Sequence, residues 1–301
     1  MKTGILLFII LMSSHLQAQG VYVIVNPISG GINKDAIVQE LKDSFSAHIF
    51  YTKGIGDGTT LAKQAVAEHA DLVIAVGGDG TMNEVGQALI GSDTALAIIP
   101  TGSGNGLARS LHIPSDTHQA IDIIQKGHQV ALDTVRINDR SYIGVAGIGF
   151  DAEIGWRFSQ FGHRGFASYI LVTMKTFPEY RPATYELIID GIKCKQKAFL
   201  ISFANSPEFG NGAMIAPHAD MSDGYFNVVI MRPFPFYEAS NMAYKLFHGS
   251  LNQSPYVRDF KAKEVIITDK NIKMQIDGEP VIFPDGARIS ISPASLKVIV
   301  P

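Results

Sequence analysis

At 301 residues the chain is twice the length of an ordinary domain of ~150, which points to two domains, and 46% hydrophobic against 18% charged residues allows a sizeable core. That balance excludes disorder, collagen and coiled coil, and a net charge of −3 gives no basic excess for a nucleic-acid partner. One cysteine, Cys194, excludes an intramolecular disulfide, thiol redox chemistry and a structural zinc site.

The charge is segregated, with six cations and twelve acids over residues 20–133 against eighteen and sixteen over 134–301. A polyphosphate bound by the acidic half must therefore be held by backbone N–H groups and a divalent cation. Residues 1–19 read as a signal peptide: Lys2 is a short positive region, Gly4 to Met12 an apolar one, and Ser13 to Ala18 a polar, small-residue stretch. They are too few for a membrane span. An upstream start or an apolar arm before the first strand explains the segment equally well.

Val21 to Val25 is β-branched and aromatic, predicting a strand that ends in a loop at Asn26-Pro27-Ile28-Ser29-Gly30-Gly31. A helix follows over 34–45 and a strand over 47–51, then a helix over 59–70. Residues 71–76 form a continuous apolar run suited to a parallel strand buried on both faces, and lead into Gly77-Gly78-Asp79-Gly80. A helix over 82–90, a strand over 95–99, a third glycine loop (Thr101 to Gly106) and a helix at 107–111 complete the alternation. This grammar predicts an α/β nucleotide-binding domain with a parallel, doubly wound sheet.

After Asp133 the period changes. Alternating runs at 134–138, 141–146, 184–190, 196–204, 225–231, 263–268, 273–276 and 288–291, with Asp-Gly pairs at 190–191, 223–224 and 277–278, predict an antiparallel β-rich, sandwich-like domain. Helical segments interrupt it near 156–177 and 236–248. The chain thus divides into 1–19, an α/β domain over 20–133 and a β-rich domain over 134–301.

Three glycine loops follow the C-terminal ends of predicted parallel strands, where open α/β sheets bind ligands, so they can converge on one crevice. Missing Cβ atoms let amides approach a phosphate, and the next helix N-terminus favours the anion. No GxxxxGK[ST] is present and the spacing Gly102-x-Gly104-x-Gly106 does not fit a dinucleotide turn, so P-loop enzymes and dehydrogenases are disfavoured. Asp79 inside such a loop would repel a phosphate unless it holds a metal, orients an acceptor or caps a helix. Asn83 and Glu84, in the next helical turn, can cap it or reach ribose or metal.

Five segments, in order, resemble the diacylglycerol kinase catalytic-domain family of lipid kinases, which includes sphingosine kinases: Asn26 to Gly31, Gly77 to Val85, Pro100 to Arg109, Ala216 to Gly224 and Ile276 to Pro280. The Gly-Gly-Asp-Gly-Thr element alone is shared with NAD kinases. The resemblance implies an NAD kinase/diacylglycerol kinase-like fold and an ATP-dependent transfer to a lipid hydroxyl, with Mg2+. Nucleotide contacts carried over are Asn26, Ser29, Gly30, Thr52, Gly78, Asp79, Gly80, Thr81, Met82, Asn83, Glu84 and Ser103. Asp79 looks like the organiser of Mg-ATP and acceptor, Asp220, Asp223 and the carbonyl of Tyr225 like the ligands of a structural metal, and Asp277 or Glu279 like the catalytic base. Phosphoryl transfer does call for positioning, charge neutralisation and a proton acceptor. Asp277-Gly278 and Asp223-Gly224 are also ordinary hairpin signals.

Gly106 departs from the family's usual Asp, and the serine form of that loop looks like the long-chain-base kinases, whereas Thr81-Met82-Asn83 looks diacylglycerol-like. The acceptor is left open between the two. Over 156–181, Trp156, Phe158, Phe161, Phe166, Tyr169, Phe177 and Tyr180 accompany Arg157, Arg164, Lys175 and Arg181, which suits a bilayer headgroup boundary or a core-packing helix with a basic edge. His112, His118, His128, His163 and His218 lack metal-motif spacing and read as surface or packing residues. The partner implied is a membrane lipid at the bilayer surface, with homodimerisation left open and a cytoplasmic, peripheral location expected; export through residues 1–19 is the alternative. The rival functions are an NAD kinase and an exported, non-catalytic lipid- or nucleotide-binding protein.

Overall fold

The computed structural model describes residues 20–162 and 165–301, so the signal-like segment, His163 and Arg164 lie outside the described residues. The first half alternates as β1 (Val21–Val25), α1 (Asp35–Ser44), β2 (Ala47–Tyr51), α2 (Asp57–Ala67), β3 (Leu72–Gly77), α3 (Asp79–Leu89), β4 (Ala95–Pro100), α4 (Gly106–Ser110) and α5 (Thr117–Lys126). The strands lie parallel in the order β2-β1-β3-β4. Every residue of β1, β3 and β4 is buried, as helices on both faces require, while edge strand β2 is only half-buried. Helix α5, which the sequence reading passed over, starts where the Asp116 carboxylate accepts the Gln119 amide.

The second half runs β5 (His128–Ile137), β6 (Arg140–Tyr142), β7 (Val145–Gly149), α6 (Phe150–Ser159), α7 (Phe166–Thr176), β8 (Ala183–Ile189), β9 (Ile192–Ala198), β10 (Leu200–Ala204), β11 (Phe226–Met231), α8 (Ala239–Phe247), β12 (Val257–Ala262), β13 (Glu264–Ile267), β14 (Ile272–Ile276), β15 (Glu279–Phe283) and β16 (Ala287–Val300). One antiparallel sheet has the order β12-β11-β10-β7-β14-β15. Its inner face, with Phe203, Phe226 and Met274, packs against Leu187, Val265 and Ile289 of the strands β8, β13 and β16 that extend the first sheet. Helices α6, α7 and α8 cover its outer face around Val229 and Met231.

Two predicted strands are each two. The run 141–146 breaks at Ile143-Gly144 into β6 and β7, and 196–204 breaks at Phe199, where the chain crosses from one sheet to the other. Asp190-Gly191 (φ 46° and 83°) and Asp277-Gly278 (φ 47° and 85°) close the β8–β9 and β14–β15 hairpins, with both residues in the left-handed region that a type I′ turn needs. Asp223-Gly224 instead ends the long loop before β11.

Strand β16 returns to the first half of the molecule. It joins β4 in parallel at Val298↔Leu96 and pairs with β5 from Ile289↔Ile137 to Val300↔His128, with a register shift between Ser292 and Leu296. Along this ribbon Leu132, Leu296 and Val298 belong to the core of the parallel sheet, whereas Val135, Ile137 and Ile289 belong to the sandwich core. The change of core thus falls at Asp133, inside a continuous strand. Its buried carboxylate accepts the amides of Gly224 (2.6 Å) and Ala294 (2.8 Å), pinning the two halves at that point.

The aromatic segment 156–181 turns mostly inward. Phe158, Phe161, Tyr169, Phe177 and Tyr180 pack on the cluster beneath α6 and α7, so these rings are core side chains. The exposed apolar residues on that side are Leu171 and Met174 of α7, and Phe236 and Tyr237, of which Phe236 lies 5.8 Å from the Phe177 ring.

Candidate active site

The loops after the parallel strands continue the sheet's hydrogen-bond ladder before diverging. Asn26 N donates to Val76 O, Thr52 N to Val25 O, and Thr101 N to Gly77 O at 2.7 Å. Asn26, Thr52, Gly77 and Thr101 are therefore held at one end of one sheet. The first and third loops touch: Ser29 Oγ lies 2.7 Å from Thr101 Oγ1, and Gly30, at φ 64°, sits where a Cβ would fall 1.7 Å from Thr101 O. The second and third also touch, since a Cβ on Gly102 would lie 2.6 Å from Gly78 Cα. Glycine is required here for loop to meet loop.

Side chains fix this arrangement. The Asn26 amide donates to Thr81 Oγ1 (3.1 Å) and accepts the Ile28 amide (3.2 Å). Lys34 is buried and its ammonium binds the carbonyls of Ser29 and Ile32, which closes the first loop; burial lowers its pKa. Sequence reasoning missed Lys34, although a lysine three residues after the Gly-Gly pair is the acidic half's nearest cation to that loop. Ser103 is exposed at the tip of the third loop, and Gly80 is open to solvent at the start of α3. Met82 is fully buried in the core beneath, so of the nucleotide contacts expected from sequence its side chain is not one.

Asp79 does cap a helix, but the neighbouring one. Its carboxylate accepts Asn105 N (2.8 Å) and Gly106 N (2.6 Å) at the N-terminus of α4. Glu84 likewise accepts Gly56 N and Gly58 N, both at 2.9 Å, where α2 begins. Asn83 is half-buried beside it.

On the other side of Asp79 the 205–222 segment of the second half closes in. Gly106 packs so near Gly210 that a Cβ there would lie 3.1 Å from Gly210 Cα, a physical reason for glycine where a larger residue would push the segment away. Between α4 and this segment lies a cavity of about 650 Å3, with Arg109, Glu208 and Asp220 among polar and Leu111, Met214 and Met221 among apolar walls. The Glu208 side chain is buried, pairs with Arg109 Nε at 3.2 Å and accepts Gly212 N at 2.8 Å. Burial raises its pKa against the opposing pull of Arg109 and the Gly212 amide, and the charge of nearby Asp79 adds to the rise. Glu208 escaped the sequence reading because nothing in Asn205-Ser-Pro-Glu208 marks it as buried.

The described arrangement matches known proteins over its whole length. The diacylglycerol kinase catalytic domain profile covers residues 20–137, and that of the YegS C-terminal NAD kinase beta sandwich-like domain covers 144–300. The chain belongs to the diacylglycerol kinase catalytic-domain family. Diacylglycerol kinases of Staphylococcus aureus strains RF122 and MRSA252 are 28% identical over 267 residues, 85% of either chain, and that of strain JH9 is 29% identical over 250 residues, 81% of this chain and 79% of the relative. A diacylglycerol kinase structure from Bacillus anthracis superposes with a TM-score of 0.73 at 22% identity, covering 94% of this chain and 97% of the other. A second structure from that organism gives 0.77 at 24% identity over 94% and 98%.

Within this family fold the two acids of the 277–279 turn part company. Asp277 accepts the amides of Ile143 (3.2 Å), Gly144 (3.0 Å) and Val145 (3.0 Å), bridging the break between β6 and β7. Burial pushes its carboxyl up to about 6, against the pull of those amides. Its hydrogen bonds commit it to holding the backbone. Glu279 is exposed and lines a separate cleft of about 280 Å3 with Lys63, Gln87 and Arg140. Gln87 and Asp79 are eight residues apart on α3, so about 12 Å of helix separates this cleft from the glycine loops. Glu279 thus faces this cleft, whereas Asp277 is turned to the break between β6 and β7.

The loop expected to hold a structural metal is already provided with a cation. Asp220 accepts the amide and hydroxyl of Ser222 at 2.9 and 2.7 Å, and Asp223 accepts Tyr225 N at 2.9 Å. Lys261 of β12 pairs with Asp223, and its ammonium pKa is raised by that contact and by the charges of Asp220 and Tyr225. Of the three expected ligands, Asp223 therefore already holds a lysine ammonium. The expected set is two aspartates and a backbone carbonyl, and among the described residues no group of three or more His, Cys, Asp or Glu able to hold a metal occurs.

Proposed function

We propose that this family member transfers the γ-phosphate of Mg-ATP to the hydroxyl of a membrane lipid, either diacylglycerol or a sphingoid base. The observation that carries the reading is the contact of three glycine loops around Asp79 at one end of the sheet. Amides of the first turn of α3 and the exposed Ser103 would bind the phosphates, with Asn26, Ser29 and Thr52 behind them. Mg2+ bound together with ATP would supply charge neutralisation at the phosphates. The relatives' acceptor, diacylglycerol by their names, comes to this chain as part of the proposal.

The acceptor resides in a bilayer, so the enzyme works at its surface. No helix among the described residues is long and apolar enough to cross a membrane. Leu171, Met174, Phe236 and Tyr237, with exposed Lys175 between, give a face suited to the headgroup boundary of an anionic leaflet.

The test is transfer from γ-labelled Mg-ATP to diacylglycerol, sphingosine and ceramide in separate mixed micelles, with NAD as control. Label on one lipid supports the proposal and names the acceptor. Label on NAD alone establishes an NAD kinase, and ATP binding with no transfer to any acceptor leaves a binding protein.

A further inference from the structure

Gly147 of β7 is paired with Ser202 of β10 on one side and with Gln275 of β14 on the other, which makes a row across three strands of the antiparallel sheet. Directly paired residues point to the same face. Here that face is the one covered by α6, because a Cβ on Gly147 would fall 2.0 Å from a carboxylate oxygen of Asp151 in the first turn of α6. The Asp151 carboxyl therefore lies on bare backbone in the middle of the row, between Ser202 and Gln275, and is buried there.

Gln275 is held from both ends. Its Nε2 donates to Val145 O (3.3 Å) and to Asp151 Oδ2 (3.4 Å), and its Oε1 accepts Gly278 N at 2.8 Å. The reverse orientation of the amide would set donor against the Gly278 N–H and acceptor against Val145 O, so the partners allow only this one. The amide thus ties α6 to the 277–279 turn. One helical turn on, a Cβ on Gly155 would lie 3.4 Å from Gln275 Cβ and 4.0 Å from Gly278 O, so α6 rests directly on that turn. Asp277 pins the same turn to the break between β6 and β7, and Glu279 leaves it to line the cleft with Lys63 and Arg140.

We propose that Asp151 and Gln275 are positioning residues: the ionised Asp151 carboxylate holds the Gln275 amide, the amide holds Gly278 N, and the turn so fixed presents Glu279 to its cleft, a role that rests on the kinase reading above. A carboxylate accepts from an amide more strongly than the neutral acid does, so protonation of Asp151 slackens the hold. Burial lifts the Asp151 carboxyl to about 7, against the pull of the Ala152 amide and Gln275. Besides these two, the groups that face it are Tyr169 of α7, Tyr180 after α7 and Tyr185 of β8, whose phenol pKa values its charge raises. Glu153 of α6 is taken up by Arg157 and by Lys273 of β14, and among the described residues no cation pairs with Asp151. Ser202 Oγ is buried without a hydrogen-bond partner among the described residues, which leaves it to turn to this carboxyl in either protonation state.

Two variants of the full chain test this against the wild type, over roughly pH 5.5–8.5, by exchange of the Gly278 amide corrected for its intrinsic rate, by the mixed-micelle transfer assay and by thermal unfolding. In the wild type, protection of Gly278 and kcat are both expected to rise as pH passes through about 7. Asp151→Asn keeps the shape without titrating and should flatten both responses. Gln275→Met keeps the length and loses both ends of the amide. It is expected to speed Gly278 exchange and to lower kcat, each by at least ~10-fold, with the KM for ATP unchanged. Wild-type protection of Gly278 in Gln275→Met, or a pH response that persists in Asp151→Asn, overturns the relay. So does protection lost evenly over the sheet with a parallel fall in Tm and ATP affinity, which would make the pair structural only. An unchanged kcat in a Gln275→Met whose Gly278 is deprotected overturns the positioning role. Wild type that labels no lipid defeats the kinase reading, and the exchange results alone then decide whether the relay holds the turn.

Discussion

Asp277 and Asp223 show how a residue of the right type in a family motif can carry structure. Three amides converge on Asp277, and burial lifts its pKa to about 6, above the ~3.9 of an unfolded aspartate. Between those values the native state binds more protons at Asp277 than the unfolded chain does, so its contribution to stability is greatest below pH ~4 and falls as pH rises through 6. The shift corresponds to roughly 3 kcal/mol at most. Urea unfolding of wild type and Asp277→Asn across this window should give a difference that changes with pH in that sense. A pH-independent difference would contradict it. Lys261 makes the opposite kind of prediction. Because its ammonium already pairs with Asp223, with the charge of Asp220 nearby, the wild-type Tm should not respond to millimolar Mg2+ or to EDTA. Lys261→Met leaves the acids unpaired and should acquire a Mg2+-dependent Tm, with stabilisation on the order of 1 kcal/mol at tenfold excess over Kd. A wild-type Tm that rises with Mg2+ would show that the ion displaces the lysine.

At the scale of elements, the parallel half was legible because each of its strands is a short, largely apolar run followed by a loop that contains glycine, and both signals are local. β1, β2, β3 and β4 stand within a residue of their expected places. The glycine loops were legible for the same reason, and the structure adds why Gly30, Gly78 and Gly102 must lack a side chain: they touch one another or a neighbouring carbonyl. What was not legible depends on tertiary contacts. Residues 141–146 alternate like one strand, and only the three amides drawn to Asp277 from far along the chain reveal the break. Pro293 and the register shift after Ser292 hide the second half of β16, so a four-residue expectation becomes a fourteen-residue strand. Glu208 belongs to the same class, since its burial is created by α4 from the other half of the molecule. The aromatic segment 156–181 carried a composition that suits either a membrane face or a core, and packing decided for the core at Phe158, Phe161, Tyr169, Phe177 and Tyr180.

For the whole molecule the β5–β16 ribbon is the element that matters, because it places residues of one strand pair in both hydrophobic cores. Leu296 is fully buried in the parallel-sheet core and Ile289 fully buried in the sandwich core, seven residues away on the same strand. Two halves joined only by a linker would be free to unfold separately. Here the loss of either core frees a strand of the other, and Asp133 loses partners from both directions. Calorimetry should therefore give one transition, with calorimetric and van't Hoff enthalpies equal. Leu296→Ala and Ile289→Ala should each cost about 2–5 kcal/mol and lower that single Tm without splitting it. Mg-ATP on the loops of the first half, as the proposed function has it, should slow amide exchange in β10 and β11 of the second, since ligand binding raises the free energy of any unfolding that includes the binding site. Two resolved transitions, or protection confined to β1–β4, would mean that the ribbon does not couple the halves. In that case the two halves would have to be held across the site by the contacts of α4 with residues 205–222, Gly106 with Gly210 and Arg109 with Glu208.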